Sequence, residues 1–189
     1  DLLYGRQRYD YQKGSIVSLA PGQVIGTEDT GEKFQPKGWA LCFHPDLIRG
    51  TTLGRNIKEY TFFSYEVNEA LHLSEKERTI IIDCLEKIRY ELQQSIDRLS
   101  KRLIATNIEL LLDYCLRFYE RQFITRGNVN HDILTRFERL LDNYFIGPKA
   151  AQNGLPSVKE CANKLCLSPN YFGDLIKKET GKTAQEYIQ

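Results

Sequence analysis

The pattern of hydrophobic and polar residues divides the chain into parts with different periods. Up to about residue 73, short β-branched or aromatic runs alternate with turn residues, which is typical of strands. The first two runs flank Pro21-Gly22, so we expect them to pair as a hairpin. So few strands leave unpaired edges, and we expect further strands before Asp1. The predicted strands are residues 15–20, 24–27, 38–43 and 60–65.

From Ser74 onward the apolar period becomes helical. Ser74 and Glu77 form a capping box at the start of the first helix. Apolar residues then recur in steps of four and three, which predicts a narrow seam. The pattern alone favours packing within the chain over a dimer interface. A second helix is predicted over about 104–119 and a third from about Asn130. The alternative is that the seam also forms a dimer interface, and its residues, which are then the predicted dimer residues, are Ile81, Leu85, Ile88, Leu92 and Leu99.

The last 35 residues predict short helices separated by tight turns. Residues 146–156 are rich in Gly, Pro and Asn and are predicted to be a linker. Ser157 with Glu160 and Thr183 with Glu186 form two more capping boxes, and Ser168-Pro169 begins the helix between them. This order predicts a helix-turn-helix, whose second helix enters the major groove of DNA. Its inward residues are expected to be Val158, Cys161, Ala162, Leu165, Tyr171 or Phe172, Leu175 and Ile176.

The segment from Ser157-Val158-Lys159-Glu160 to Lys177-Lys178-Glu179-Thr180-Gly181 resembles the first helix-turn-helix of AraC-type transcription regulators. The upstream order of strands, helices and linker is similar to the cupin-like sensor and helical dimerisation region of that family. The resemblance implies an α+β fold. Its parts are a partial cupin-like antiparallel β domain (1–73), antiparallel dimerisation helices (74–146), a linker (147–156) and a first helix-turn-helix (157–189). The family's second helix-turn-helix has no counterpart in these residues.

The resemblance assigns roles on double-stranded DNA to six residues. Asn170 would read adenine, and Asp174 would accept from a cytosine amino group. Gly173 would allow the duplex to approach the helix closely, and Ser168 with the first-turn amides would hold a phosphate. Lys177 and Lys178 would contact the backbone. The alternative for each is a solvated surface side chain. Cys166 stands where the family often has Gly, at a position that favours a positive φ.

Composition narrows the possible partners. The 26 Lys and Arg balance 25 Asp and Glu, giving a net charge of +1, which argues against a strongly basic nucleic-acid coat or a polybasic membrane-surface protein. No apolar run is long enough to span a bilayer. Five scattered cysteines indicate reduced thiols in the cytoplasm rather than a disulfide framework. The absence of Met predicts either an interior piece of a longer protein or a chain trimmed at its start.

These observations predict a cytoplasmic, one-component transcription regulator that forms a homodimer and responds to an unknown small-molecule effector. A metal-dependent cupin-type enzyme is one alternative, because His44 and Asp46 invite a metal site, although a structural His beside Pro45 is the stronger interpretation. A protein-only interaction module is the other. We predict no catalytic residue, no metal and no cofactor. The sequence does not specify the effector, the operator or the direction of regulation.

Overall fold

The computed structural model of the protein describes residues 2–4, 7–9, 14–23, 37–147, 150 and 154–189. Helices account for most of this part of the chain, and its strands are segments of only two or three residues. The predicted α+β class with a partial cupin-like antiparallel β domain is therefore wrong: the described chain is mostly helical. None of the described helices is long and apolar enough to cross a membrane.

The described residues form two compact units, each built from separate stretches of the chain. The first draws on Asp1–Ile16, Gly22–Tyr60 and Leu71–Phe118. Its antiparallel strand pairs are β1 (Leu2–Tyr4) with β2 (Gln7–Tyr9), and β3 (Ser15–Ile16) with β4 (Leu71–His72). Its helical elements are α1 (Pro45–Ile48), α2 (Thr52–Asn56), a 3₁₀ turn (Ile57–Glu59), α3 (Glu75–Leu92) and α4 (Ser100–Thr125) through Phe118.

The second unit draws on Val17–Pro21, Thr61–Ala70 and Tyr119–Gln189. It contains two 3₁₀ turns (Thr61–Ser64 and Val67–Glu69), the end of α4, α5 (Gly127–Ile146), α6 (Val158–Lys164), α7 (Pro169–Thr180) and α8 (Ala184–Ile188). Its most deeply buried apolar side chains each expose 1% or less of their surface, and they include Phe62, Phe137, Phe172, Leu175 and Ile176.

The predicted strands fail for a physical reason that is clearest at residues 60–65. There the chain forms a 3₁₀ turn, and Phe62 and Tyr65 pack on the same ring, that of Tyr119. Residues three apart share a face only in a helical conformation, so this packing overrides their β propensity. Residues 38–43 form no strand.

The predicted hairpin is also not formed as expected. Only Ser15 and Ile16 of the run 15–20 are in a strand, and they pair with His72 and Leu71. The other predicted partner, 24–27, lies outside the described residues. The capping box at Ser74 is confirmed, because Ser74 Oγ accepts from the Glu77 amide and the Glu77 side chain accepts from the Ser74 amide.

The predicted apolar seam does not lie on one helix, because α3 ends at Leu92. Asp97 then starts α4: its carboxylate accepts hydrogen bonds from the Leu99 amide at 2.7 Å and the Ser100 amide at 2.9 Å. These bonds hold the pKa of Asp97 below its usual value. Leu99 therefore precedes a second helix instead of continuing the first.

Candidate nucleic-acid interface

The turn between α6 and α7 is built by main-chain hydrogen bonds around Cys166. The Leu167 amide donates to the Ala162 carbonyl at 3.0 Å, and the Cys166 amide donates to the Asn163 carbonyl at 3.2 Å. This pair of bonds is a Schellman motif, which places one residue in the left-handed region. That residue is Cys166, with a φ of 59°, the one non-glycine residue with positive φ in the described chain. The predicted positive φ is confirmed.

Both helices begin as the sequence predicts. Ser157 and Glu160 form the capping box of α6. Ser168 Oγ accepts from the Tyr171 amide at 3.2 Å, with Pro169 at the first helical position of α7. The helix ends at Thr180, and Gly181 follows with a φ of 74°. Of the predicted inward residues, Val158 is only half-buried. The others are buried, and both Tyr171 and Phe172 are among them: Cys161, Ala162, Leu165, Tyr171, Phe172, Leu175 and Ile176.

Helix α5 packs against the buried side of α7. The rings of Phe137 and Phe172 meet edge to face with centroids 4.9 Å apart. Asn130, which is buried, donates through Nδ2 to the Phe123 carbonyl at 2.6 Å and to Glu179 Oε1 at 3.0 Å. One aromatic contact and one polar contact thus join α5 to α7.

Five of the six residues predicted to contact DNA share one side of α7. Helical geometry, at about 100° per residue, places them within a sector of roughly 140°. Asn170, Lys177 and Lys178 are exposed, while Gly173 and Asp174 are half-buried. A Cβ added at Gly173 would meet no atom within 4 Å, so packing does not require glycine there.

Ser168, the sixth predicted residue, is buried on the opposite side of α7. Its amide donates to Glu69 Oε1 at 2.7 Å, and its hydroxyl donates to Glu69 Oε2 at 2.5 Å. Burial raises the pKa of Glu69, while the hydrogen bonds from Ser168 and the Glu66 amide oppose that rise. In this arrangement the Ser168 amide and hydroxyl donate to Glu69, and the Ser168 hydroxyl oxygen also caps the start of α7.

Asp174 lies within this sector, between Asn170 and Lys178 around the helix axis, and is also bonded within the protein. Its Oδ2 accepts from the Thr61 hydroxyl at 2.8 Å and from the Tyr65 hydroxyl at 2.6 Å. Burial and the charge of Asp174 raise the pKa of Tyr65, so its hydroxyl stays protonated and remains a donor. The Tyr65 ring also meets Tyr171 edge to face at 5.2 Å.

The sequence interpretation missed Thr61, Tyr65 and Glu69, which together contact one side of α7. A signal was present, because these residues recur every four positions, the spacing of one helical face. The β-branched and aromatic composition of 60–65 concealed that period. The Thr61–Ala70 segment thus covers one side of α7. Asn170, Gly173, Lys177 and Lys178 lie next to that covered side.

The other candidate residues from the sequence have local roles. His44 caps α1, where its Nδ1 accepts from the Asp46 amide at 3.2 Å. Cys161 is buried and Cys166 is exposed, and both are free thiols. Within the described part of the chain, no three His, Cys, Asp or Glu residues are grouped so that they could hold a metal ion.

The predicted dimer residues divide by exposure. Ile81 and Ile88 are buried, and Leu85 is half-buried. Leu92 and Leu99 expose 67% and 40% of their surface. Only these last two have much apolar surface to offer a second chain.

Comparisons with protein families, with curated proteins and with solved structures found no match to this chain. The candidate interface therefore rests on its own geometry and chemistry.

Proposed function

We propose that this chain is part of a DNA-binding transcription regulator and that α7 is its reading helix. The observation that carries the proposal is the pair α6 and α7, joined by the Schellman turn at Cys166, with Asn170, Gly173 and Lys177 together on the exposed side of α7. The AraC-type resemblance of the same residues supports it. The regulator acts in the cytoplasm and responds to a small-molecule effector.

Each exposed residue has a distinct task in this proposal. Asn170, in the first turn of α7, reads an adenine edge through its amide, and Gly173 lets the duplex approach the helix. Lys177 and Lys178 contact phosphates and supply salt dependence. Ser168 supports the helix through Glu69. Asp174 contacts a base after its bonds to Thr61 and Tyr65 open.

The expected affinity for DNA is modest, because residues 155–189 contribute five lysines against four carboxylates, a net charge of +1. We expect dissociation constants in the micromolar range or weaker at physiological salt, typical of binding dominated by phosphate contacts. The measurement is fluorescence anisotropy of a labelled duplex at several salt concentrations. Replacing Lys177 and Lys178 by Gln lowers the salt slope by roughly 0.9 for each lysine.

The sequence-reading role is tested with two asparagines. A random duplex pool is selected with the wild type, with Asn170→Ala and with Asn163→Ala, whose side chain is also exposed but lies on α6. We expect the Asn170 variant to lose preference at one adenine and the Asn163 variant to keep it. Identical selected sequences for all three proteins would contradict base reading by Asn170. Absence of DNA binding at low salt would favour a protein-only interaction module.

We also propose that the regulator is a homodimer, with the contact at the end of α3. Leu92 is exposed, and Ile96 in the following turn exposes 95% of its surface. Exposed apolar residues of this kind are stabilised when a second chain covers them. Sedimentation equilibrium of Ile96→Glu should show fewer dimers than the wild type. Ile146→Glu is the control, because Ile146 is 86% exposed at the end of α5. A wild type that stays monomeric at tens of micromolar, a range weak dimers reach, contradicts this proposal.

A further inference from the structure

A cavity of about 550 Å³, open to solvent along the side where Arg136, Arg139 and Lys164 are exposed, lies between α5 and α6, within the second unit. Its lining combines three cations with apolar surface: Arg136, Arg139 and Lys164, and Leu140, Tyr144 and Leu165. Its volume falls in the range of sites for small organic ligands. The cavity is separate from the exposed side of α7 that carries Asn170 and Lys177.

The three cations of this cavity, Arg136, Arg139 and Lys164, are exposed and form no ion pair with a side chain in the described structure. No carboxylate of the described residues lines the cavity. Asp132 lies one turn before Arg136 on α5, but the two form no ion pair. Like charges on neighbouring turns repel one another, and a bound anion relieves that repulsion.

The apolar part of the lining indicates more than a bare inorganic anion. The Lys164 ammonium lies 5.8 Å from the centroid of the Tyr144 ring, so a cation and an aromatic surface are adjacent. Leu165 is buried and Leu140 is half-buried, and both face the cavity. A ligand with a charged end and an apolar body matches this division.

We propose that the cavity binds a small organic acid. Its anionic group is held by Arg136, Arg139 and Lys164, since guanidinium groups bind carboxylates and phosphates through paired hydrogen bonds. Its apolar body lies against Tyr144, Leu140 and Leu165. Binding would join α5 to α6, the first helix of the helix-turn-helix. That this acid is the effector rests on the proposed function, whereas the binding itself does not.

The test is an NMR titration of ¹⁵N-labelled protein without DNA, so its failure is distinct from failure of DNA binding. The probe is 2-naphthoate, and its neutral control is 2-naphthamide. We expect saturable shifts of amides in α5 and α6, with a dissociation constant of about 1 mM or lower for a ligand of this size. We expect the amide to bind at least fivefold more weakly, since it lacks the charge. Equal binding of both probes, or shifts elsewhere in the protein, overturns the proposal.

Variants locate the site. Arg136→Gln with Arg139→Gln should weaken 2-naphthoate binding at least fivefold, and Lys164→Gln should weaken it less. Lys159→Gln is the control, because Lys159 is exposed on the same helix but does not line the cavity. Unchanged binding in the arginine variant overturns the proposal. The proposal is also overturned if a variant loses affinity for duplex DNA and keeps naphthoate binding, because these cations then bind a nucleic-acid backbone.

Discussion

The hydroxyl of Tyr65 donates a 2.6 Å hydrogen bond to Oδ2 of Asp174, on the side of α7 that also carries Asn170 and Lys178. The residues are 109 positions apart in sequence, so this bond joins the Thr61–Ala70 segment to the proposed reading helix. Thr61 donates to the same oxygen at 2.8 Å. The carboxylate of Asp174 therefore has a structural role that the sequence interpretation did not assign to it.

The first prediction concerns the strength of this bond. Tyr65→Phe should lower the free energy of unfolding by about 1.5 kcal/mol, because a hydrogen bond to a carboxylate is lost at a buried ring. Urea unfolding of Tyr65→Phe, Asp174→Ala and the double variant forms a mutant cycle. We expect a coupling energy of about 1 kcal/mol. Tyr90→Phe is the control, since Tyr90 is 61% exposed. A coupling energy below about 0.3 kcal/mol would show that the contact contributes little.

The second prediction concerns the buried carboxylate of Glu69. Burial raises the pKa of Glu69 above its unfolded value, which is about 4.3. Its contribution to stability is therefore fully present below that pH and is lost as pH rises through the folded pKa. Even when it is protonated, the Glu69 carboxyl can accept through both oxygens, whereas the NH₂ group of Gln accepts no hydrogen bond. Glu69→Gln therefore leaves only one acceptor oxygen for the two donors on Ser168 and the Glu66 amide. We expect it to destabilise the protein by about 2 kcal/mol at pH 4.

The measurement for Glu69 is urea unfolding between pH 4 and pH 8. The difference in unfolding free energy between wild type and Glu69→Gln should shrink as pH rises. Glu120→Gln is a suitable control, because Glu120 is exposed on α4. A difference that grows with pH would mean that the ionised carboxylate is the favoured form in the folded protein.

The third prediction concerns the turn at Cys166. A side chain at a φ of 59° costs about 1 kcal/mol, which glycine avoids at some cost in chain entropy. Cys166→Gly should therefore raise the free energy of unfolding by about 0.5 kcal/mol. Cys166→Ala retains a Cβ and should give no such gain. If both variants unfold alike, the left-handed conformation is not the source of strain.

Local signals in the sequence were sufficient to predict the starts of three helices and the turn at Cys166. The three capping boxes at Ser74, Ser157 and Thr183 depend on residues three positions apart, and all three are formed. The conformation of Cys166 follows from the length of the turn, which forces one residue into the left-handed region. Such features are decided within a few residues, so the sequence alone determines them.

The features that the sequence did not reveal depend on distant contacts. Ser168 was assigned to a phosphate because it caps a helix, but Glu69, 99 residues away, takes both its amide and its hydroxyl. Residues 60–65 have strand-like composition, yet they contain a helical turn in which Phe62 and Tyr65 pack on the ring of Tyr119. A propensity of a few tenths of a kcal/mol per residue is outweighed by burial of two aromatic rings.

The last prediction separates folding from DNA binding at a single position. Gly173 lies inside α7, where alanine is favoured by about 1 kcal/mol, and a Cβ there would meet no atom within 4 Å. Gly173→Ala should therefore raise the free energy of unfolding by roughly 0.5–1 kcal/mol. If the duplex approaches α7 as proposed, the same methyl group should lower DNA affinity about tenfold, a penalty in the range of a steric mismatch at a base.

Urea unfolding and duplex anisotropy on the same samples test both effects. Gly127→Ala is the matched control, since a Cβ at Gly127, at the start of α5, also meets no atom within 4 Å. We expect the control to leave DNA affinity unchanged. A Gly173 variant that is more stable and binds DNA as well as the wild type would show that this side of α7 does not closely approach the duplex. The reading helix would then have to be sought elsewhere, because Gly173 is one helical turn from both Asn170 and Lys177 on the exposed sector.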